Sequence, residues 1–499
     1  MALSDIKATL SSRSPNNTQL QLEGDLLTSK NSLSPTIPTP ETSPSSAERT
    51  ARDAPMSLIQ EIKENMSLPT QTSPLRVASQ DVIANGIVSE DVAFSKLSSR
   101  WLFMSTDPID LRSKSSLLFG TCILAGIHIT PALYGSETHQ KLYKHVYDML
   151  AQSQLVSGTS LDTIQALLIF SMWDLRPTRD HDHGNSWLLS GLAAMKVMMI
   201  TRFENLFQAS DGQEVSRSRE LLRTWNLICL CHLQFSIGSG RPPVISRQYF
   251  EECAKILNYE SYNARDELVV AGVELYRTLW ELISSNEIRT DSVAWPEIER
   301  LRRRHEHIYH LDSSEPLRFA YSCTYLILTR RTLRHINESH AVEKGRSRPL
   351  NGETQKQEFI QFAVGHSHQV LNLFLSMSDL TTYIHPAYEN LLCSFAMVTL
   401  AELADHVTNI FETTTLMEQA VSHIQRGGKA EPVSRWSLSI MKQHILGGND
   451  EEAVISEDSD PIYGMNVAAG DILRSWEDVN WSIEQEFPSL EEVFFGGVL

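Results

Sequence analysis

The stretch LLRTWNLICLCHLQFSIGSGRPPVIS, residues 221–246, decides the fold of this chain. Leu222, Trp225, Cys229 and Leu233 follow one another at spacings of three and four, which predicts the buried face of a helix. The pattern stops at GSGRPP, where glycines allow a sharp turn and prolines prevent the helix from continuing. We therefore predict a buried helix with an abrupt, stiff exit.

Two further helices are predicted upstream of this stretch. Ser160 is placed to cap LDTIQALLIFSMW, residues 161–173, because a serine side chain accepts a hydrogen bond from the free N–H groups of a first turn. In GNSWLLSGLAAMKVMM, residues 184–199, apolar side chains recur at helical spacing, and Gly191 permits a close helix crossing. The recurring residues are Trp187, Leu188, Leu192, Met195 and Met199.

The same helical pattern extends over most of the chain. It runs through residues 55–445, and no stretch shows the sustained alternation typical of strands. We predict an all-α fold, a compact array of about fourteen helices. Residues 1–54 are expected to be a disordered linker, since thirteen of the twenty residues from 31 to 50 are Ser, Thr or Pro. Residues 446–499 are expected to form a separate acidic tail.

Composition limits the functional classes. The net charge is -18, and residues 450–499 hold thirteen carboxylates against one arginine, which is two thirds of that charge. An acidic chain offers no general phosphate-binding surface, so DNA contact would need a local basic patch, a missing segment or a partner. The six cysteines are scattered through apolar segments, which predicts reduced, buried thiols rather than a disulfide framework. No leader or membrane-spanning segment is predicted.

Candidate catalytic and metal-binding groups are few. No nucleophile elbow, phosphate loop or dinucleotide fingerprint is present, so we predict no catalytic residue, no cofactor and no enzyme activity. His181, Asp182 and His183 are the best metal candidates, but they lie in a polar loop without a further ligand pair at helical spacing. A solvated loop is favoured there. The basic clusters at 302–304 and 330–335 favour polar faces of packed helices over a nucleic-acid patch.

The ordered motifs resemble the fungal-specific transcription factor domain, the middle regulatory domain of fungal zinc-cluster transcription factors. That family shows a Gln-Ala-Leu-Leu helix, a Ser-Trp helix with a small residue, and an Arg-x-Trp helix that ends in Gly-Arg-Pro-Pro. The stretch SLLFGTCILAGIHITPALYG, residues 116–135, also resembles the branch that includes regulators of secreted proteases and weak-acid stress. The matching motif residues are Gln165, Leu168, Ser186, Trp187, Gly191, Arg223, Trp225, Gly240, Arg241, Pro242 and Pro243.

These motif residues are expected to have structural roles. Trp187 and Trp225 would anchor the core, and Gly238 and Gly240 would allow the turn. Arg241 would either cap carbonyls at a helix end or hold a buried carboxylate.

The tail combines aromatic and acidic residues in a way that is typical of activation segments. Acidic side chains keep the apolar groups solvated, and those groups supply contact area to a coactivator groove when the segment folds on binding. The competing interpretation is a last helix docked on the core; we favour the activation segment. Its contact residues would be Trp476, Trp481, Phe487, Leu490 and Phe494.

The resemblance implies a nuclear transcriptional regulator, of a secondary-metabolite gene cluster or of secreted hydrolases. Family members usually carry six clustered cysteines that bind two zinc ions, whereas the first cysteine here is Cys122, inside a predicted helix. DNA would therefore be reached through a DNA-binding partner protein, through a homodimer, or through a cluster that lies outside this sequence. The alternative function is a helical ligand-binding or protein-interaction scaffold with no transcriptional role.

Overall fold

Helices joined by turns and short connections make up the described part of the chain. A computed structural model describes residues 81–92, 107–154, 159–177, 184–203, 206, 212–285, 288–342, 350–379, 385–426 and 432–445. No strand occurs within these ranges, so the predicted all-α class is confirmed. The segments 1–54 and 446–499 lie outside the described residues, and the domain boundaries remain predictions.

The first half of the described chain contains short and medium helices. Ser160 caps its helix as predicted, accepting a hydrogen bond from the backbone N–H of Thr163 at 3.2 Å. The same helix ends before Asp174, which adopts a left-handed conformation (φ 47°). The guanidinium of Arg176 donates two hydrogen bonds to the Asp174 carboxylate, at 2.7 and 2.9 Å. The helices are α1 (Pro108–Lys114), α2 (Ser116–His128), α3 (Glu137–Gln154), α4 (Leu161–Trp173), α5 (Gly184–Ile200), α6 (Gly212–Ser239) and α7 (Arg247–Glu251).

The second half adds longer helices. A 3₁₀ segment, Glu252–Asn258, follows α7 directly. The next helix starts with a capping box in which the side chains of Asn263 and Asp266 each bond the other residue's backbone N–H. The helices are α8 (Ala264–Ser284), α9 (Pro296–Arg304), α10 (Glu306–Tyr309), α11 (Glu315–Val342), α12 (Leu350–Asp379), α13 (Ala387–Glu402), α14 (Ile410–Arg426) and α15 (Pro432–Ile445).

Helices that follow one another in sequence mostly pack against one another. The most extensive pairing joins α11 to α12, and the pairs α4–α5, α5–α6 and α6–α8 carry the middle of the array. Helix α2 is enclosed on all sides, as its apolar sequence predicts, with Phe119, Ile123 and Leu124 fully buried. Packing between neighbours in sequence is what short connections favour.

Helix α5 presents an unexpected face to solvent. The stripe with helical spacing is present, but Leu188, Met195 and Met199 are 39%, 41% and 82% exposed. The face toward the core carries mostly small side chains, among them the fully buried Ala193 and Ala194, together with Val197 and Lys196. Both α4 and α6 pack closely on α5, which favours small side chains where the helices meet.

The basic clusters belong to helix surfaces, as predicted. In the first cluster, Arg302 pairs with Glu299 at 3.1 Å and Arg304 with Glu274 at 3.3 Å. In the second, Arg331 of α11 donates to two backbone carbonyls at the end of α8. Arg302 thus pairs within α9, whereas Arg304 and Arg331 join their helices to α8, as expected for polar faces of packed helices.

Candidate functional site at the junction of α4, α5 and α6

The motif residues converge on the place where α4, α5 and α6 meet. Gln165 of α4 is buried, and its amide donates to Glu220 at 3.1 Å and to Thr224 at 3.3 Å, both on α6. Leu168 lies three residues further along α4 and is also buried. The Gln-Ala-Leu-Leu motif therefore joins α4 to α6 through Gln165 and adds the buried side chain of Leu168 to the core.

Trp225 anchors the core as predicted. Its side chain is fully buried, and the indole N–H donates to the backbone carbonyl of Tyr249 at 3.2 Å. The ring of Phe203 packs against it with centroids 5.1 Å apart. A buried indole that keeps its hydrogen bond combines a large contact area with a satisfied polar group, so Trp225 fixes α6 against the segment that contains α7.

Arg223 fastens α6 to the start of α8. Its guanidinium forms two parallel bonds to the carboxylate of Asp266, at 2.7 and 2.6 Å. The Asp266 side chain is only 1% exposed and also accepts a hydrogen bond from the backbone N–H of Asn263 at 3.1 Å. One carboxylate thus caps α8 and holds α6 at the same time.

His232 joins α5 to the exit of α6, although the sequence analysis did not single it out. The backbone N–H of Val244 donates to its Nε2 at 2.9 Å, so the neutral ring carries its proton on Nδ1, which lies 3.0 Å from the Ser190 hydroxyl. Burial lowers the pKa of His232 from 6.5 to about 4. The only signal in the sequence is one histidine within an apolar helix, which the surrounding periodicity masks.

The Ser190–His232 pair is structural. Both side chains are fully buried, and the Ser190 hydroxyl donates to the backbone carbonyl of Trp187 at 3.0 Å. A nucleophile needs access to its substrate and a base that can accept a proton near neutral pH. The enclosed position and the low pKa of the ring meet neither condition, so this pair positions α5 rather than carrying out chemistry.

Gly191 makes the close crossing possible, as predicted. A Cβ atom at this position would lie 3.1 Å from Cγ2 of Val244 and 3.2 Å from Cε1 of His232. Both distances are tighter than ordinary van der Waals contact. A glycine on α5 is thus what allows the loop after α6 to reach His232.

Trp187 and Arg241 differ from the prediction. Trp187 is half-buried rather than central to the core, and the guanidinium carbon of Arg241 lies 5.5 Å from its ring centre. The predicted roles of Arg241, capping a helix end or holding a buried carboxylate, are wrong: it is exposed and stacks on the indole. Ser186, next to Trp187, is buried.

The two glycines near the end of α6, Gly238 and Gly240, have different roles. Gly240 has the predicted turn conformation, with φ of 68°. Gly238 lies inside the helix, where its missing Cβ allows Tyr388 and Leu391 of α13 to come close, so its predicted turn role is wrong. Pro242 is exposed and Pro243 is partly buried, and both follow the end of α6 at Ser239.

Several candidate groups cannot be placed in this site. Residues 181–183 and the tail residues Trp476, Trp481, Phe487, Leu490 and Phe494 lie outside the described residues. Within the described ranges, no group of three His, Cys, Asp or Glu side chains is arranged to hold a metal ion. In the same ranges, no helix combines the length and apolarity needed to cross a bilayer. None of the six cysteines forms a disulfide, and all six are buried.

Comparisons with known proteins agree with the motif resemblance. Residues 92–427 match the family model described as "Transcriptional activator of proteases prtT middle domain". A relative from Aspergillus niger, named "Transcriptional activator of proteases prtT", is 27% identical over 276 residues, which cover 52% of this chain and 43% of that protein. The protein of the same name from Aspergillus clavatus is 29% identical over 40% of this chain and 32% of its own length.

A further relative occurs in Schizosaccharomyces pombe. An uncharacterized transcriptional regulatory protein of Schizosaccharomyces pombe is 23% identical over 262 residues, covering 50% of this chain and 49% of that protein. The chain spans less than half of the length of the curated relatives it matches. No solved structure matches the chain.

Proposed function

We propose that this chain, which belongs to the family of the PRTT-like middle domain of transcriptional activators of proteases, is a transcriptional regulator of fungal type that acts in the nucleus. The observation that carries the proposal is the match over residues 92–427, which takes in α1 to α14 and all the motif residues at the junction of α4, α5 and α6. Names of the relatives favour secreted hydrolases over a secondary-metabolite gene cluster as the controlled genes.

The helical body would act by contact rather than by catalysis. Its motif residues are used up in packing: Gln165 in a link between helices, Arg223 in a pair with Asp266, and Trp225 in the core. Its cationic side chains at 302, 304 and 331 are engaged within the body: Arg302 by Glu299 of the same helix, and Arg304 and Arg331 by α8. We therefore propose that DNA is reached through a DNA-binding partner, a homodimer, or a zinc cluster outside this sequence.

The acidic tail would recruit the transcription machinery or a coactivator. Fused to a heterologous DNA-binding module, residues 450–499 should activate a reporter gene. Replacement of Trp481, Phe487 and Phe494 by alanine should return the reporter to background, because the apolar groups supply the contact area.

A matched control keeps this test specific. Alanine at Ser482, Gln485 and Ser489 changes three polar residues of the same segment and should leave activation intact. Equal loss in both triple variants, or an inert wild-type tail, would contradict the activation segment. An inert tail would favour the scaffold function instead.

A further inference from the structure

A cavity beside α8 has the lining of a ligand site. It measures about 250 Å³ and lies between the α7–3₁₀ segment and α8, with Arg304 of α9 at its edge. Pockets for drug-sized ligands hold roughly 300–1,000 Å³, so this volume suits a smaller molecule. The cavity is separate from the motif junction of α4, α5 and α6, and the proposed function does not use it.

One wall of the cavity is apolar. Phe250, Cys253, Val270 and Val273 line it, and all four side chains are buried. Such a wall takes an aliphatic or aromatic group of a ligand, which gains roughly 25 cal/mol for each Å² of apolar surface removed from water.

The opposite part of the lining carries two charged groups, Arg277 and Glu251, that lack a hydrogen-bonded charge partner among the described residues. Arg277 makes no hydrogen bond with any other described residue, and its Nε is buried without a partner among them. Glu251 is exposed at the cavity and forms no ion pair within the described chain. The Nε atom is enclosed by protein and is not itself a ligand contact, but the Arg277 side chain is partly exposed at the cavity, so its guanidinium end favours an anionic ligand group.

The remaining charged groups of the lining are already engaged. Glu274 bonds His305 at 3.2 Å and Arg304 at 3.3 Å. The hydrogen bond from His305 holds the pKa of the Glu274 carboxyl below its ordinary value, and the charges of Arg304 and Arg277 add to the effect. The single carboxylate of Glu274 thus faces two arginines, so the arginines keep one net positive charge, and Glu251 carries one negative charge.

This charge pattern selects among ligand classes. A nucleotide or phosphate would meet the carboxylates of Glu251 and Glu274, and a metal ion would meet the guanidinium groups of Arg277 and Arg304. A molecule with one carboxylate, one ammonium and an apolar side chain satisfies all of the lining. We propose that the cavity binds a free apolar α-amino acid, with its carboxylate on Arg277, its ammonium on Glu251 and its side chain on the Phe250–Val273 wall.

Calorimetric titration of the purified full-length chain with leucine tests the assignment. Leucine should bind saturably, and leucinamide, which lacks the carboxylate, and 4-methylpentanoate, which lacks the ammonium, should each bind at least about tenfold more weakly. Glycine should bind weakly because it leaves the apolar wall uncovered. The assignment would be overturned if leucine showed no saturable binding up to about 10 mM, or if glycine bound as tightly as leucine.

Variants locate the binding within the cavity. Arg277→Gln should weaken leucine binding at least about tenfold, and Glu251→Gln should make leucine and 4-methylpentanoate bind alike. Ala254→Trp, at an exposed position of the lining, should block binding by filling the cavity. The control Arg300→Gln changes an exposed arginine of α9 that does not line the cavity and should leave the affinity unchanged.

Circular dichroism melting identifies any variant that fails to fold. If Arg277→Gln does not fold, leucine binding to Ala254→Trp and analogue binding to the wild type still test the site. Leucine binding that persists in both Arg277→Gln and Ala254→Trp would contradict the site. Because binding is measured on the chain alone, the result is independent of whether the tail activates transcription.

Discussion

Trp225 and Trp187 belong to the same set of motifs but stand in different surroundings. Trp225 is fully buried, donates a hydrogen bond and lies near the Arg223–Asp266 pair, all of which fix α6 to α7 and α8. Trp187 is half-buried, and it lies between the buried ring of His232 and the exposed guanidinium of Arg241. One tryptophan fills the interior, and the other covers the edge of a helix crossing.

The difference shows how two similar sequence patterns acquire different roles. On α6, the large side chains face neighbouring helices, so the spacing of apolar residues predicts burial correctly. On α5, hydroxyl and small side chains make up most of the buried face, and several large apolar ones, such as Met195 and Met199, are exposed. We therefore expect substitutions on the Trp225 side to cost packing energy, and those on the Trp187 side to depend on the fit around His232.

Removal of each tryptophan gives the largest expected contrast. Trp225→Ala should lower the free energy of unfolding by about 3–5 kcal/mol, because it leaves a cavity and a free carbonyl at Tyr249. Trp187→Ala should cost only about 1–2 kcal/mol, since part of its surface is already in water. Urea denaturation followed by circular dichroism measures both values. Equal losses would mean that the two surroundings do not differ energetically.

A pH titration sharpens the comparison on the Trp187 side. The pKa of His232 is about 4 in the folded chain and 6.5 ordinarily, so the unfolded state takes up the proton first as pH falls. The free energy of unfolding therefore carries no penalty from His232 above about pH 6.5, and it falls by about 3 kcal/mol as the pH drops from 6.5 to 4.

Two variants separate His232 from other groups. Burial also lowers the pKa of His366 to about 4, so the wild type should lose stability through both rings in this window. His232→Gln should show a shallower decline in the unfolding free energy, measured by urea denaturation at several pH values. His310→Gln, at an exposed histidine, should follow the wild type. A decline that His232→Gln leaves unchanged would contradict the role of this ring.

Addition of a methyl group at the helix crossing should have a smaller effect than removal of Trp225. Gly191→Ala places a Cβ 3.1 Å from Val244 and 3.2 Å from His232, which should cost about 1–3 kcal/mol. Val244→Ala in the same chain should recover part of this loss, because it removes one of the two contacts. Thermal unfolding measures both variants.

Gly365 provides the matched control for that substitution. It lies inside α12, and a Cβ there would meet nothing within 4 Å. Gly365→Ala should therefore be neutral or stabilise the chain by about 0.5–1 kcal/mol through the better helix propensity of alanine. If Gly191→Ala behaves like Gly365→Ala, the crossing at α5 is looser than its distances indicate.

Local signals in the sequence predicted much of the fold. The helical class, the cap at Ser160, the burial of α2 and the turn at Gly240 all depend on a few neighbouring residues, so they could be read from the sequence. The spacing that predicted burial of Trp225 also holds, because α6 places that face against its neighbours.

Features that depend on distant residues could not be predicted. The partner of Arg223 lies 43 residues away, and the bond between Val244 and His232 requires the exit loop to fold back on α6. Nothing near Arg241 in sequence indicates that it stacks on Trp187. The outward face of α5 depends equally on how closely α4 and α6 approach it, since a helix that is apolar nearly all round does not specify its buried side.

Arg331 illustrates how one geometric detail limits evolutionary change. Its guanidinium covers two carbonyl oxygens at once, those of Leu282 and Ser285, each at 2.7 Å. The compact ammonium of a lysine lacks this planar fork, so even the mildest exchange of one basic residue for another would leave one carbonyl uncovered. Arg303, which is exposed on α9, has no such constraint. Among homologous chains we expect position 303 to drift between arginine and lysine, and position 331 to stay arginine.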